Sequence, residues 1–453
     1  MSGHFHRASS RPRWFALSAS IPLALASCGG GGDSPQAPDG GATRPTAPAN
    51  NDPDFAVTGL RSWYLIGNDL TPGDDQVSAT ITPPAGVSAI AVWIADRAAI
   101  ALEPQGGGFA LALDITDLPA GDHEVLFAAD GAPTAFASYT LHRSHPIYVM
   151  VTTDWDFGDP SDQALARQDR LHAQHPDLVM THFVGPYTFT DPTVSESRRQ
   201  LLADWVKEQR DSFGDEIGLH IHPYCSFVDD AGLTCITDQS TTNTDGDDSG
   251  YSIKVAAYGE QGFLDLLEHA DEIFAERELG KPVTFRAGGW TASIETLRAL
   301  EADGFVADTS ANNWARMEEW MGLLSGELYD WNMAHWSMIG DTSQPYYPND
   351  GDIQSDAAPT LEILEVPDNG IMVDYVTVEE MIEIFDSNWP GGALSGPRSF
   401  MMGFHPSASF DSGYEVRVDG ILDYAEQFLA SDDHGPVVHA LLRDMPEVWK
   451  AAL

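Results

Sequence analysis

Ile147-Tyr-Val-Met-Val-Thr-Thr-Asp154-Trp155-Asp156 runs apolar for five residues, passes through two threonines and ends on two carboxylates one residue apart. A short unbroken apolar run bounded by polar residues is the pattern of a strand buried on both faces. Side chains alternate along a strand, so Asp154 and Asp156 are expected on the same face at its C-terminal end. Runs of the same kind recur at Leu178–Val184, Glu216–His222, Val283–Phe285, Gly304–Asp308, Leu361–Val366 and Phe400–His405. Amphipathic stretches at Ser195–Ser212, Gly262–Leu279 and Ile294–Asp303 lie between several of them. Strands alternating with helices predict an α/β unit with a parallel sheet or barrel over residues 146–453. In such barrels the chemistry sits at the C-terminal ends of the strands.

Upstream the texture differs. Between Asp54 and Arg143, short alternating runs such as Ser88–Ile94 and Glu124–Ala128 are separated by turn residues, with almost no helical periodicity. They predict a small all-β sandwich at 54–143 preceding the barrel. That region holds no cluster of His, Cys and carboxylates that reads as a site. At the N-terminus, Arg7, Arg11 and Arg13 precede an apolar stretch, Trp14 to Ser27, too short to span a bilayer as a helix. Residues 1–27 read as a signal peptide. The stretch closes Leu25-Ala-Ser-Cys28-Gly29, which resembles the bacterial lipobox. The resemblance implies cleavage before Cys28, lipidation of its thiol, and an exported chain anchored to a bacterial membrane, the outer one by preference, at its periplasmic or surface face. Residues 28–53, rich in Gly, Pro, Ala and Asp, then read as a flexible tether. Of three cysteines, Cys28 is set aside for lipid, and Cys225 and Cys235 remain as an even pair expected to bond in an oxidising compartment.

Charge narrows the partners. The 453 residues carry 23 Lys and Arg against 69 Asp and Glu, a formal −46. Up to residue 52 there are four basic and three acidic residues, so the acidity belongs to the folded part. A field of that sign repels phosphate backbones and excludes nucleic acid as a partner. Hydrophobic residues at 43% exclude global disorder. The polar run Thr237–Gly250 reads as an acidic surface insertion, since its oxygen spacing does not match an EF-hand.

A second strand-end motif, Glu216-Ile-Gly-Leu-His220-Ile-His222-Pro-Tyr224, puts two imidazoles on one face. Two histidines and a carboxylate form a set suited to a catalytic metal with an open position, though polar strand ends solvated in loops would look the same in sequence. Thr284-Phe-Arg286-Ala-Gly-Gly-Trp290 ends another strand on a cation and an indole, and Met402-Gly-Phe-His405-Pro406 ends the last on a histidine.

With these four motifs in this order, residues Ile147 to Pro406 resemble the polysaccharide deacetylases of the NodB-homology family, carbohydrate esterase family 4. Gly304-Phe-Val-Ala-Asp308-Thr-Ser matches a fifth region more loosely. The resemblance implies a distorted parallel (β/α) barrel, a divalent metal such as zinc, and removal of acetyl groups from an envelope or extracellular polysaccharide. It further implies Asp154 as catalytic base, Asp156 and His220 as metal ligands, Arg286 as the residue orienting the base, and His405 as general acid. Trp290 would line the sugar groove, with Tyr224 and Asp308 as further substrate contacts. Two departures stand out. Asp-Trp-Asp replaces the adjacent aspartates common in the family, and Tyr224 occupies the place of its second histidine, so strand alternation puts forward His222 as third ligand. Two other readings stay open: a glycoside hydrolase pairing Asp154 or Asp156 with a distant acid such as Asp308, and a noncatalytic sugar-binding lipoprotein. His142, His145, His172, His175, His182, His335, His434 and His439 fit no motif and read as scattered surface or core histidines.

Overall fold

The computed structural model describes residues 43–68, 70–238, 248–321, 327–406 and 412–452. The signal segment, Cys28 and most of the insertion after Thr237 lie outside the described residues.

Strand β1 (Ile147–Asp154) is buried at every position and is the axis of the larger sheet. It is followed by β2 (Met180–Val184), β3 (Glu216–Ile221), β4 (Thr284–Ala287), β5 (Ala307–Asp308), β6 (Leu364–Glu365), β7 (Arg398–Phe404) and β8 (Val437–His439). All pairings are parallel, in the order β6-β5-β4-β3-β2-β1-β7. One edge of β1 pairs with β7, and the other is shared: β8 pairs with Ile147–Val149 and β2 with Val151–Asp154. The chain leaving β6 then joins the two ends. Gly370 N–H donates to the Met401 carbonyl at 2.8 Å and Val373 N–H to that of Gly403 at 2.9 Å. The sheet thereby curls into a distorted (β/α) barrel.

Both alternations of these strands are buried, which is why they read as continuous apolar runs rather than as period-two patterns. Tyr148, Met150, Phe183, Val366 and Met401 pack inside the barrel against Leu442, Met445 and Trp449 of the C-terminal segment. Val149, Val151, Leu219, Ile221 and Phe285 belong to the larger core under the helices. Those helices are α1 (Asp162–Gln174), α2 (Glu196–Phe213), α3 (Gly259–Glu276), α4 (Ile294–Asp303) and α5 (Val378–Asn388). Their ends follow local chemistry: Ser195 caps α2, and Thr377 and Glu380 close a reciprocal capping box on α5.

The N-terminal region forms two sheets. One orders Ala56–Thr58, Gln76–Thr82, Gly108–Asp114 and Glu103–Gln105; the other orders Trp63–Leu65, Ala137–Ser144, Gly121–Ala129, Ile90–Ile94 and Ile100–Ala101. Val77, Ile81 and Phe109 of the first meet Val92, Val125 and Phe127 of the second in a shared core. Gln76–Thr82 alternates strictly between buried and exposed, because one face of its sheet is solvated. Only His145 and Pro146 separate Ser144 from β1, and Asp433 accepts backbone N–H bonds from Ser62 at 2.8 Å and Trp63 at 2.7 Å. At the C-terminal end of the stretch read as a tether, Thr46 N–H donates to the Pro133 carbonyl at 3.0 Å and Asp52 N–H to that of Phe136 at 2.8 Å. No helix among the described residues is long and apolar enough to cross a membrane.

Candidate active site

Asp156 stands two residues beyond β1, over the barrel mouth. Its Oδ1 lies 3.1 Å from His220 Nε2 and 3.3 Å from His222 Nε2, both imidazoles coming from the end of β3. His220 Nδ1 is 2.9 Å from the carbonyl of Arg286, and His222 Nδ1 is 2.8 Å from that of Tyr251. A carbonyl only accepts, so each ring donates from Nδ1 and turns an Nε2 lone pair towards the carboxylate. Three acceptors within 4.8 Å of one another thus converge. Nε2 of His222 is buried with no hydrogen-bond partner among the described residues. Such a cluster is repulsive until a cation enters it, and two imidazoles with one carboxylate fit a divalent metal. Burial opposes the charge of Asp156, yet the positive charge of His405 beside it holds its carboxyl well below the ordinary range.

The ligands are held from behind. Tyr251 donates its hydroxyl to Asp156 Oδ2 at 2.9 Å and stacks on the His222 ring at 4.3 Å, while its carbonyl takes the His222 proton. Tyr251 follows the insertion, whose flanks are pinned beside the histidine motif: Cys225 is bonded to Cys235, and Cys225 N–H donates to the Ser249 carbonyl at 2.8 Å. Gly288 is needed for the same packing, since a Cβ there would lie 2.6 Å from the His222 ring.

On the opposite wall, Asp154 Oδ1 lies 3.0 Å from Nη1 of Arg286. The guanidinium is fully buried, also donating to Thr152 Oγ1 at 2.8 Å and the Thr309 carbonyl at 3.2 Å, with Phe183 beneath it at 5.0 Å. A second carboxylate, Asp368, sits 3.6 Å from Nη2. Burial pushes its pKa up to about 6, against the pull of Arg286. His405, just past β7, has Nδ1 3.2 Å from Asp374 and Nε2 3.6 Å from the second oxygen of Asp156. Burial disfavours the imidazolium, but Asp156 and Asp374 outweigh it and raise His405 to about 10. A cation among the ligands would cancel part of that field and bring the value down.

Asp154, Asp156, His220, His222 and His405 line one cavity of about 140 Å³, with Trp290, Met317, Leu328 and Tyr375 as its apolar wall. Arg286 acts on it from beneath. Tyr224 lies beside it and donates to the backbone carbonyl of Asp156 at 3.1 Å. Asp308 does not line it. Its side chain is buried in the barrel, bonded to Ser310 Oγ at 2.9 Å and close to Glu365, so its reading as a sugar contact does not fit its place. Burial raises both carboxyls of that pair, and the charge of Asp308 raises Glu365 further. Sequence reasoning missed Tyr251, Asp368, Asp374 and Tyr375. Tyr251, Asp374 and Tyr375 lie in irregular chain outside the strand-end motifs, while Asp368 follows the Leu361–Val366 run by two residues, a strand-end position that could have marked it.

No family model and no curated protein matches this chain. Among solved structures it is similar to a candidate polysaccharide deacetylase from Mycobacterium smegmatis, at 15% identity over 68% of this chain and 92% of that one, with a TM-score of 0.40. It is similar to a family 4 carbohydrate esterase from Streptomyces lividans at 11% identity, covering 65% and 92% of the two chains, TM-score 0.32. A peptidoglycan deacetylase from Bacillus subtilis is similar at 11% identity, covering 68% and 94%, TM-score 0.33. These are likenesses at low identity to two deacetylases and one family 4 carbohydrate esterase.

Proposed function

We propose that this chain is a metal-dependent hydrolase that removes acetyl groups from an envelope or extracellular polysaccharide. The observation that carries the reading is the convergence of three lone-pair donors, Asp156, His220 and His222, beside a carboxylate held by a buried arginine. A divalent ion, zinc by preference for this donor set, supplies Lewis-acid polarisation of an acyl carbonyl and lowers the pKa of water. Asp154, aimed by Arg286, takes the proton of the attacking water. His405, held by Asp374, gives a proton to the departing amine or alkoxide, and acetate and a deacetylated sugar remain. Trp290, Met317 and Leu328 offer the acetyl methyl an apolar wall. Asp308, the example of a distant acid for the glycoside hydrolase alternative, is buried and does not line the cavity. We further propose that Cys28 carries the lipid that holds the exported chain on the membrane, with the glycan within reach.

The purified chain, analysed for bound metal and assayed for acetate released from acetylated chitin and xylan oligomers, tests the reading. One divalent ion per chain and turnover abolished by a chelator are expected. Metal-free protein after loading, or turnover indifferent to the chelator, overturns it. For the anchor, Cys28→Ala should leave the detergent phase that the parent enters; equal partitioning overturns it.

A further inference from the structure

Beside the cavity lies a second hollow of about 240 Å³, walled by Phe157, Tyr187 and Tyr224, with Asp159, Asp191 and Thr193 at its polar side. Phe157 is 49% exposed. A single exposed apolar side chain needs no explanation, but this one belongs to a contiguous aromatic group. Its ring stacks on Tyr251 at 5.5 Å, Tyr251 meets Tyr224 at 5.4 Å, and Tyr224 meets Tyr187 at 4.7 Å. The group also joins the two depressions. Phe157 is the next residue after Asp156, Tyr251 lines the cavity and bonds Asp156, and Tyr224 lines the hollow while bonding the Asp156 carbonyl.

We propose that this hollow is a subsite for a neutral pyranose ring, the neighbour, along the same glycan, of the residue deacetylated in the cavity. The inference rests on the deacetylase reading and names where its substrate extends. An aromatic floor suits the C–H face of a sugar, while oxygen acceptors beside it suit its hydroxyls. Asp191 spends Oδ1 on the N–H of Thr193 at 2.8 Å and its hydroxyl at 2.7 Å, and Asp159 spends Oδ1 on Arg198 at 2.5 Å. A carboxylate has about four acceptor sites, so both retain capacity for hydroxyl donors. Anionic sugars are disfavoured by the same two carboxylates and by the −46 net charge. The preferred substrate is therefore a neutral oligosaccharide of at least two residues.

The test compares Phe157→Ala with the metal-loaded parent on 4-nitrophenyl acetate, which cannot reach the hollow, and on N-acetylglucosamine and acetylated xylose oligomers of one to five units. The expected result is a loss in kcat/KM, carried by KM, that grows with length and exceeds the loss on the aryl ester by about three- to tenfold, the worth of one aromatic contact. Phe157→Trp should restore the length dependence. A loss that is equal at every length, or none at all, overturns the subsite while leaving the deacetylase reading intact. If the loaded parent releases no acetate from any of these substrates, the deacetylase reading fails instead. Calorimetric binding of the pentamers then decides the hollow: three- to tenfold weaker binding by Phe157→Ala supports it, and equal binding overturns it.

Discussion

Two clusters in this barrel share the same residue types, one aspartate and two histidines, and are wired in opposite senses. At the mouth, Asp156 faces the Nε2 lone pairs of His220 and His222, whose protons are committed to backbone carbonyls. On the outer wall, Oδ2 of Asp215 lies 2.9 Å from Nε2 of both His172 and His182. There Nδ1 of His182 meets the Thr153 hydroxyl at 3.1 Å, so its Nε2 is free to donate, and Oδ1 of Asp215 takes the Met180 N–H at 2.9 Å. The wall cluster is a satisfied hydrogen-bond network under helices α1 and α2, and its carboxyl is lowered by the two histidines although burial alone would raise it. The mouth cluster, with neutral rings, sets acceptor against acceptor, an arrangement that could hold a cation. Composition does not separate a structural trio from a metal-binding one; the side of the ring that carries the proton does.

Several variants would break or sharpen this contrast. The largest effect is expected from Asp154→Asn, which keeps the charge of the ligands but removes the base: acetate release should fall by roughly 10² to 10⁴ with the metal still bound. Metal loss in that variant would make Asp154 a ligand and dissolve the division of roles. Next, Asp215→Ala leaves two imidazoles and a backbone N–H unpaired in the core and should cost about 3 to 5 kcal/mol in urea unfolding, with metal content unchanged. His220→Ala should do the reverse, losing metal while the metal-free protein unfolds as the metal-free parent does. If both variants lose metal, or both lose stability alike, the two clusters are not different in kind. Tyr251→Phe keeps the ring on His222 but frees Asp156 Oδ2, and metal affinity should fall roughly 10- to 100-fold by competition with a chelating dye. An unchanged affinity would show that the stacked ring and the carbonyl suffice.

The smallest effect is a pH dependence. The folded carboxyl of Asp215 lies below its unfolded value, so the stability it contributes is fully present above about pH 4, the unfolded value. It is lost as pH falls through the lowered folded value. The difference in urea midpoint between the parent and Asp215→Asn should therefore shrink only in acid, and a difference that is constant down to pH 2 contradicts the wiring described for the wall.

The strands were legible where apolar runs ended on chemistry. β1, β3 and β7 were readable because their termini carry Asp154, His220 and His222, and His405; α2 and α4 were readable from their amphipathic periodicity. Helix α1 was not, because Asp-Gln-Ala-Leu-Ala-Arg-Gln-Asp-Arg is mostly polar and its buried side includes Arg167 and Gln168. Strand β8 is three residues long, and its assignment depends on the lower edge of β1 being open. Helix α5 carried a signal that went unread, the Thr377-Val-Glu-Glu380 capping box.

Taken by itself, the sequence determined the parallel α/β order, the all-β region before it and the net acidity. It also brought His220 and His222 to one face through the period of two. These follow from local rules: burial pattern, strand alternation and net charge act over a few residues or over the whole composition. The tertiary structure alone decided that Asp374 supports His405, that Asp368 shares Arg286 with Asp154, and that Tyr251 grips two members of the donor set. It also took Asp308 out of the cavity and turned His172 and His182 from scattered residues into one buried network. The physical reason is that hydrogen-bond direction and desolvation depend on partners dozens to hundreds of residues away, brought close only when the barrel curls shut.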